Sequence, residues 1–328
     1  MPGSLSQRGR RLAAPATGLA IVIALIAGAV AAGHRPASAH ASPPAQVGGP
    51  GLPGLVTADS PLPAGASVEV LPPTVDGFAR IRLVGQALPP PAEVRRDLRE
   101  DVFWVQDNRR RTYRIFVPHG LPRSAPLVIA LAGYRQGLQF AQREQRWARL
   151  AGVGRFIVAY AQSYEGSWDA GLCCGRAKTG RVDDVGYLDA LITRVQATHP
   201  IDPRRIFLAG FSNGGMMAHR YACERAGVVA AIASFAGPLE ATTCRPGRPV
   251  AVLQVQGLAD RTVPAAGRVH DGELRTRLRS AQVTVRFWQH VDGAAAPARL
   301  LLRARLGHAW PTDGAALAWA FFAANPQR

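Results

Sequence analysis

Lysine is almost absent from this chain: Lys178 is the only one, although Lys and Arg together number 39 of 328 residues. The formal net charge of +17 therefore comes almost entirely from scattered arginines, in a chain that also holds 34 Gly and 26 Pro. No zinc-finger, RNA-recognition or helix-turn-helix pattern accompanies the charge, as a nucleic-acid-binding domain would require. We interpret the charge as a bias in composition and predict no nucleic-acid partner.

Cysteine is scarce too, with four residues: Cys173, Cys174, Cys223 and Cys244. There is no CxxC pair and no histidine cluster, so the sequence predicts no metal site. Four cysteines allow three disulfide connectivities. Cys223 falls on a predicted helix and Cys244 in the loop before the next strand, which makes a bridge between them geometrically reasonable. The adjacent Cys173 and Cys174 cannot both reach one partner.

Charge is missing from residues 17–32, a continuous apolar run that follows arginines within residues 8–11. This pattern is typical of a secretory signal peptide, with small residues at 37–39 (ASA) as the cleavage site and 39–41 (AHA) as a second choice. The run of about 16 residues is short for a membrane span, which needs roughly 20. We therefore predict a signal peptide over 1–39, a secreted protein, and membrane contact only during export by the Sec or twin-arginine route.

The rest of the chain divides in two by composition. Residues 40–100 are rich in Pro, Gly and Ala and are predicted to form a linker or small N-terminal extension with one short hairpin. From residue 101 to 328 we predict one domain that opens with an antiparallel hairpin over 101–117. Strands then alternate with helices, a pattern that predicts a mostly parallel sheet covered on both faces.

The pattern places these elements as follows. Predicted strands are 127–131, 156–160, 205–209, 230–235, 250–256, 283–289 and 300–305. Predicted helices are 139–150, 184–198, 214–225, 273–279 and 313–322. Within 182–187 (VDDVGY), Asp183 is predicted as a helix N-cap and Asp184 as a favourable charge at the helix N-terminus, both structural rather than catalytic.

The most informative segment is 210–217 (GFSNGGMM), which puts Ser212 between a strand pattern and a helix pattern. Glycines on either side permit a tight turn that exposes the serine Oγ at the end of the sheet. The following helix N-terminus then faces the reacting carbonyl. A GxSxG sequence between strand and helix is the nucleophile elbow of α/β-hydrolases, so we predict Ser212 as the nucleophile.

A nucleophilic serine needs a base, and the base needs a group that orients it. In open α/β sheets such groups lie just past the carboxyl ends of strands. Asp260 and His308 both follow predicted strands, and the order Ser, Asp, His is that of α/β-hydrolases. We predict His308 as base and Asp260 as its orienting acid. Weaker candidates are His219, His270, His290 and Asp292.

The oxyanion of an acyl-transfer intermediate needs N–H donors, here predicted to be the backbone amides of Asn213 and Tyr134. Gly133, before Tyr134, permits close approach. Trp168 and Trp310 flank the predicted site loops and are candidate substrate-binding residues, with packing as the alternative for each.

Taken together, these segments resemble the secreted esterase family of polyhydroxybutyrate depolymerases and related feruloyl and acetyl xylan esterases. The resemblance spans residues 101 to 322 and is carried by 113–118 (YRIFVP), the Trp168 loop, 182–186 (VDDVG), 210–217, 257–260 (GLAD) and 307–311 (GHAWP). It implies an α/β-hydrolase fold and a Ser212–His308–Asp260 triad.

The chain departs from this family in two places. The family usually has His-Gly after the first core strand, whereas this chain has Ala132-Gly133, so the support of that loop is changed and activity is open to reduction. The family often carries a cysteine where this chain has Gly293-Ala294, so its disulfide pattern does not transfer as a whole.

Our leading hypothesis is a secreted serine esterase that uses no cofactor and hydrolyses an ester substrate, small or polymeric, of polyhydroxyalkanoate, feruloyl or acetyl type. One alternative is a serine peptidase on the same fold, which no propeller-like repeat supports. The other is a non-catalytic surface binding protein, supported only by Ala132. The sequence leaves the oligomeric state open.

Overall fold

The computed structural model describes residues 55–57, 66–71, 80–85, 98–104, 109–268 and 277–327. The chain divides into two units, 1–49 and 50–328, and every described residue lies in the second. Its strands are β1 (Leu55–Thr57), β2 (Ala66–Leu71), β3 (Arg80–Gly85), β4 (Leu98–Trp104), β5 (Arg110–Phe116), β6 (Ala125–Leu131), β7 (Ile157–Ala161), β8 (Ile201–Phe211), β9 (Ala231–Phe235), β10 (Ala251–Gly257) and β11 (Ala298–Arg303). Its helices are α1 (Leu138–Glu144), α2 (Trp147–Gly154), α3 (Gly175–Thr179), α4 (Asp184–Thr198), α5 (Asn213–Glu224), α6 (Ala281–Asp292) and α7 (Gly314–Ala323).

Nine of these strands form one sheet in the order β1-β11-β10-β9-β8-β6-β7-β5-β4. Neighbours from β1 to β7 are parallel, while β5 pairs antiparallel with β7 and β4 pairs antiparallel with β5. β2 and β3 form a separate antiparallel pair. The predictions of a mostly parallel sheet and of an opening antiparallel hairpin are therefore confirmed, and β1, inside the predicted extension, adds an edge strand.

The strands β6 and β7 are buried on both faces, which explains why they are apolar throughout. Along β6, Leu127, Ile129 and Leu131 face a core built with α4, α5 and α6. The alternate residues Val128 and Ala130 face a second core built with α1, α2 and α7. A strand buried on both faces loses the alternation of polar and apolar residues, as in other parallel sheets.

Three predicted elements differ from the structure. The predicted strand 283–289 lies inside α6, because Ser280 caps this helix by accepting a hydrogen bond from the Val283 N–H at 3.1 Å. The buried side chains of this helix recur at helical spacing: Ala281, Thr284, Val285, Trp288 and Asp292. The apolar residues within 283–287 alternate by chance, and this alternation led to the wrong prediction of a strand.

The predicted helix 139–150 is interrupted between α1 and α2, where Arg146 adopts a positive φ of 56°. The predicted helix 273–279 falls mostly on 269–276, outside the described residues. Its described end is not helical, since Leu278 forms an isolated antiparallel bridge with Arg268. Within the part of the chain that the structure describes, no helix has the length and apolarity that crossing a bilayer would take.

Candidate active site

Ser212 lies in a tight turn between β8 and α5. Its backbone adopts φ 52° and ψ −122°, a conformation that non-glycine residues rarely occupy. A Cβ on Gly214 would collide with the carbonyl oxygen of Ala132, and one on Gly210 would collide with Gly214 itself. The Ser212 N–H donates to the carbonyl oxygen of Phe235 at 2.7 Å, which holds the strained residue in place. The glycines are therefore required by close backbone approach.

The structure brings Ser212, His308 and Asp260 together in one hydrogen-bonded row. His308 Nε2 is 3.0 Å from Ser212 Oγ, and His308 Nδ1 is 2.8 Å from Asp260 Oδ2. An ionised carboxylate only accepts hydrogen bonds, so the ring donates from Nδ1 and leaves Nε2 free to accept the serine proton. This arrangement has the geometry of a nucleophile, a general base and an orienting acid.

The carboxylate of Asp260 is held by three further donors. Its Oδ1 accepts the backbone N–H groups of Thr262 at 2.9 Å and Val263 at 2.8 Å, and Gln256 Nε2 lies 3.3 Å from Oδ2. The Asp260 side chain is 0% exposed, whereas the His308 side chain is 21% exposed. The Asp260 carboxylate is thus fixed inside the protein, whereas the His308 ring is partly open to solvent.

The loops that carry Asp260 and His308 meet because β10 and β11 are parallel neighbours. The Ala259 N–H donates to the carbonyl oxygen of Leu306 at 3.2 Å, and a Cβ on Gly257 would collide with that same oxygen. The carboxyl ends of adjacent parallel strands therefore bring Asp260 and His308 side by side.

The weaker candidates lie elsewhere. His219 is buried on α5 against Gln254 and Trp288, and His290 is exposed on α6. The carboxyl of Asp292 is hydrogen-bonded by Val250, at the opposite end of β10 from Asp260. His270 lies outside the described residues.

Asn213 and Tyr134, the predicted oxyanion donors, follow neighbouring parallel strands, β8 and β6. A Cβ on Gly133 would lie 3.2 Å from Ser212 Cβ, so the loop after β6 passes directly beside Ser212. Among the described residues, neither the Asn213 nor the Tyr134 N–H donates to a protein acceptor. Both are therefore unsatisfied donors beside Ser212, as an oxyanion site requires.

Ala132 does not leave the loop after β6 unsupported. Gln136 Oε1 accepts the Gly133 N–H at 2.9 Å, and Gln145 Nε2 donates to the carbonyl oxygen of Leu131 at 3.0 Å. Trp168 Nε1 donates to the carbonyl oxygen of Ala132 at 2.9 Å. Three side chains from outside the strand thus hold this backbone.

The prediction that Trp168 contacts substrate is contradicted, because its side chain is 0% exposed and its indole N–H is used inside the protein. The packing alternative describes it correctly. Trp310 is half-buried and packs against Phe235, with ring centroids 4.1 Å apart, so part of its surface is open to solvent.

Sequence reasoning missed a buried ion pair behind the site, between Arg111 on β5 and Asp184 at the start of α4. Arg111 Nη2 lies 2.7 Å from Asp184 Oδ1, and both side chains are buried. Burial raises the pKa of Asp184, while the positive charge of Arg111 opposes that rise. The alternation of Arg111 with Tyr113 and Ile115, which face inward on β5, was the signal that could have found it.

Asp183 is the N-cap of α4 as predicted, accepting the Gly186 N–H at 2.8 Å.

All four cysteines are in disulfides. Cys223 on α5 is bonded to Cys244 in the loop between β9 and β10, as the sequence had made reasonable, and Cys173 is bonded to its neighbour Cys174. In the described ranges, no group of His, Cys, Asp and Glu side chains is arranged to hold a metal ion.

The sheet order, the elbow after β8 and the acid and base after β10 and β11 define an α/β-hydrolase fold. Two solved structures support it: acetyl xylan esterase from Aspergillus awamori, at 15% identity and TM-score 0.52, covers 69% of this chain and 99% of its own. A ferulic acid esterase of Anaeromyces mucronatus, bound to ferulic acid, gives 13% identity and TM-score 0.53 over 70% of this chain and 90% of its own.

Sequence comparison finds similar curated proteins, although no family model matches. The chain is 28% identical over 152 residues to a bifunctional acetylxylan esterase/xylanase of Neocallimastix patriciarum, covering 46% of this chain and 21% of the relative. It is 34% identical over 150 residues to feruloyl esterase B of Piromyces equi (43% and 27%). It is 30% identical over 125 residues to poly(3-hydroxyalkanoate) depolymerase C of Paucimonas lemoignei (37% and 30%). The chain spans less than a third of each of these relatives, and the matches confirm the resemblance stated from sequence.

Proposed function

We propose that this protein is a secreted serine esterase that hydrolyses carboxylic esters through an acyl-enzyme intermediate. The observation that carries the proposal is the hydrogen-bonded row Ser212–His308–Asp260, with contacts of 3.0 and 2.8 Å. Two unsatisfied backbone donors beside the serine add to it. An arrangement of this kind has little use in a protein that only binds its ligand.

The proposed reaction has two halves. Ser212 Oγ attacks the ester carbonyl carbon while His308 Nε2 takes the hydroxyl proton, and the N–H groups of Asn213 and Tyr134 bind the oxyanion. The intermediate collapses, the C–O bond to the alcohol breaks, and His308 returns the proton to that alcohol. His308 then deprotonates a water that attacks the acyl-serine, the bond between the acyl carbon and Ser212 Oγ breaks as His308 returns that proton to Oγ, and the carboxylic acid leaves.

The substrate class rests on the relatives. Proteins similar to this chain are named for acetylxylan, feruloyl and poly(3-hydroxyalkanoate) esters. We propose an ester of one of these three types, in which an acyl group is joined to a sugar or hydroxyacid alcohol.

The test is hydrolysis of p-nitrophenyl acetate and butyrate by residues 40–328. Ser212→Ala removes the attacking oxygen and is expected to lower kcat by about 10⁴-fold or more. Ser280→Ala is the matched control, because it removes a hydroxyl that only caps α6 and should leave kcat unchanged. Equal turnover by wild type and Ser212→Ala would overturn the esterase proposal.

Two further readouts separate the alternatives. Faster cleavage of peptide p-nitroanilides than of esters would indicate the peptidase. A folded wild type that neither turns over esters nor reacts with a fluorophosphonate would indicate the binding protein. An active enzyme would next be compared on acetylxylan, feruloylated xylan and polyhydroxybutyrate.

We also propose that residues 1–39 are a signal peptide and that the mature protein works outside the cytoplasm. The two disulfides support this, because such bonds persist in oxidising compartments. Intact mass of protein recovered outside the expressing cell tests it: a chain beginning at His40 or Ser42 is expected. A full-length chain retained in the cell would contradict it.

A further inference from the structure

Trp168 contacts both segments that carry the proposed oxyanion donors. Its indole Nε1–H donates to the carbonyl oxygen of Ala132, two residues before Tyr134, at 2.9 Å. Its backbone N–H donates to Asn213 Oδ1 at 2.7 Å, and its carbonyl oxygen accepts from Asn213 Nδ2 at 3.1 Å. One buried residue therefore binds the loop after β6 and the first residue of α5.

We propose that Trp168, together with the side chain of Asn213, is a positioning element that sets the separation of the Tyr134 and Asn213 N–H groups. This inference rests on the proposed esterase function and adds to it which side chains fix the two oxyanion donors. Neither side chain touches substrate in this role. The donors are backbone groups, and the two side chains fix where those groups point.

The loop around Trp168 is itself anchored from the opposite side. The Asp169 N–H donates to Asp184 Oδ2 at 2.7 Å, and Asp184 Oδ1 is paired with Arg111. The Arg111 guanidinium lies 5.9 Å from the centroid of the Trp168 ring, and the ring of Tyr187 stacks on Trp168 with 6.2 Å between centroids. The buried Arg111–Asp184 pair thus anchors the loop that carries Trp168, which in turn binds both donor segments.

The bonded disulfide pair Cys173–Cys174 completes this anchoring. The Cys174 N–H donates to the Trp168 carbonyl oxygen at 3.4 Å, and Asn213 Nδ2 lies 3.9 Å from Cys173 Sγ. Every polar atom of Trp168 therefore has a protein partner, and the ring has no open face for a ligand.

A positioning element of this kind affects the energy of the transition state more than the affinity for substrate. Oxyanion donors must lie about 2.7–3.1 Å from the oxygen position in the tetrahedral intermediate, and small displacements weaken both bonds. The planar carbonyl of bound substrate depends less on them. Loss of the contacts made by this positioning element should therefore lower kcat and leave KM nearly unchanged.

The experiment uses Trp168→Phe, which keeps an aromatic ring but removes the N–H that binds Ala132. We expect kcat for p-nitrophenyl butyrate to fall about 10- to 100-fold, with KM within about threefold. The Ki of a trifluoromethyl ketone, which forms a tetrahedral oxyanion with Ser212, should rise in step with the loss of kcat/KM. Asn213→Ala, which keeps the backbone donor and removes the side-chain contacts, should give the same pattern.

Trp288→Phe is the matched control. Trp288 is equally buried and also donates its indole N–H, at 3.0 Å, but its acceptor His219 lies in the interior of α5 and not at Asn213 or in the loop after β6. Its kcat and Ki should stay within about twofold of wild type. If Trp168→Phe does not fold, Asn213→Ala is judged by the same criteria.

Three outcomes would overturn the inference. Unchanged kcat and Ki in folded Trp168→Phe and Asn213→Ala would remove the positioning role. A raised KM with unchanged kcat would indicate substrate contact, and an equal loss in Trp288→Phe would indicate general weakening of the core. Failure of the esterase function itself is distinct, because wild type and Ser212→Ala would then turn over esters equally.

Discussion

At the scale of single residues, Asp260 shows how a carboxylate is assigned its role by its neighbours. Two backbone N–H groups occupy Oδ1, and Oδ2 is shared between His308 Nδ1 and Gln256 Nε2. All four neighbouring atoms are donors. The side chain at this position must therefore accept hydrogen bonds at both of its terminal atoms and donate none. A carboxylate meets this requirement.

This argument predicts the effect of Asp260→Asn. The amide retains an oxygen for the backbone donors and turns its NH₂ toward His308 Nδ1, which then accepts and leaves Nε2 protonated. A protonated Nε2 cannot take the proton of Ser212, so kcat for p-nitrophenyl butyrate should fall about 10³- to 10⁴-fold with KM nearly unchanged.

Asp292→Asn is the matched control for that variant. Asp292 is a buried carboxyl at the opposite end of β10, where burial raises its pKa to about 6. Its kcat should equal that of wild type at pH 7.5. A similar loss of kcat in both variants would show that Asp260 acts through the fold rather than through His308.

At the scale of elements, α5 combines the elbow at its first turn with a buried histidine, His219, in its interior. Trp288 Nε1–H donates to His219 Nδ1 at 3.0 Å, so the neutral ring carries its proton on Nε2, which lies 3.0 Å from Gln254 Oε1. Burial lowers the pKa of His219 from 6.5 to about 4, although the bond to Gln254 opposes this. The helix thus packs against α6 and β10 through an uncharged imidazole.

A lowered pKa in the folded state means that acid favours unfolding. This contribution of His219 is fully present above pH 6.5 and declines as the pH falls toward 4, because only the unfolded chain binds the proton there. Between pH 7.5 and 4.5 the free energy of unfolding should fall by about 2–3 kcal/mol from this group alone.

Denaturant unfolding of wild type and His219→Gln at the two pH values measures this effect. Glutamine keeps a donor for Gln254 and does not titrate, so the acid-dependent loss should be about 2–3 kcal/mol smaller in the variant. An equal loss in both proteins would show that other groups control the acid sensitivity.

The misassigned helix α6 also belongs to this scale. Val283, Val285 and Phe287 alternate like a strand, but the cap at Ser280 and the burial of Val285 and Trp288 against the sheet decide for a helix. Local alternation over five residues is weak evidence, because tertiary packing selects which period is used.

At the scale of the whole molecule, the Cys223–Cys244 disulfide joins the end of α5 to the loop before β10, 21 positions away in sequence. The loop that it closes contains β9, an interior strand of the sheet, and the disulfide lies at the far end of α5 from Ser212. Its loss should therefore affect stability rather than catalysis.

Replacing both cysteines by alanine should lower the free energy of unfolding by about 3 kcal/mol, the loop-closure entropy for a segment of this length. The kcat of the folded variant at 25 °C should stay within about twofold of wild type. Chemical unfolding in the absence of reductant measures the first quantity. An unchanged free energy of unfolding would show that this crosslink does not lower the conformational entropy of the unfolded chain.

Much of the molecule follows from sequence alone. The elbow at Ser212 does, because glycines at 210 and 214 are dictated by local backbone approach. The placement of Asp260 and His308 together does as well, because both follow parallel strands whose carboxyl ends meet at one edge. These features depend on short segments and on general rules of sheet topology.

Only the tertiary structure decided the rest. The burial of Trp168, the pairing of Arg111 with Asp184, the interruption between α1 and α2 and the bonding of Cys173 to Cys174 were not determined by the sequence pattern. The first two depend on which distant segments come into contact, and no local propensity encodes that. A tryptophan near a site loop has the same local sequence whether its ring faces substrate or the core, and the packing of β5, α4 and α5 around it determines which.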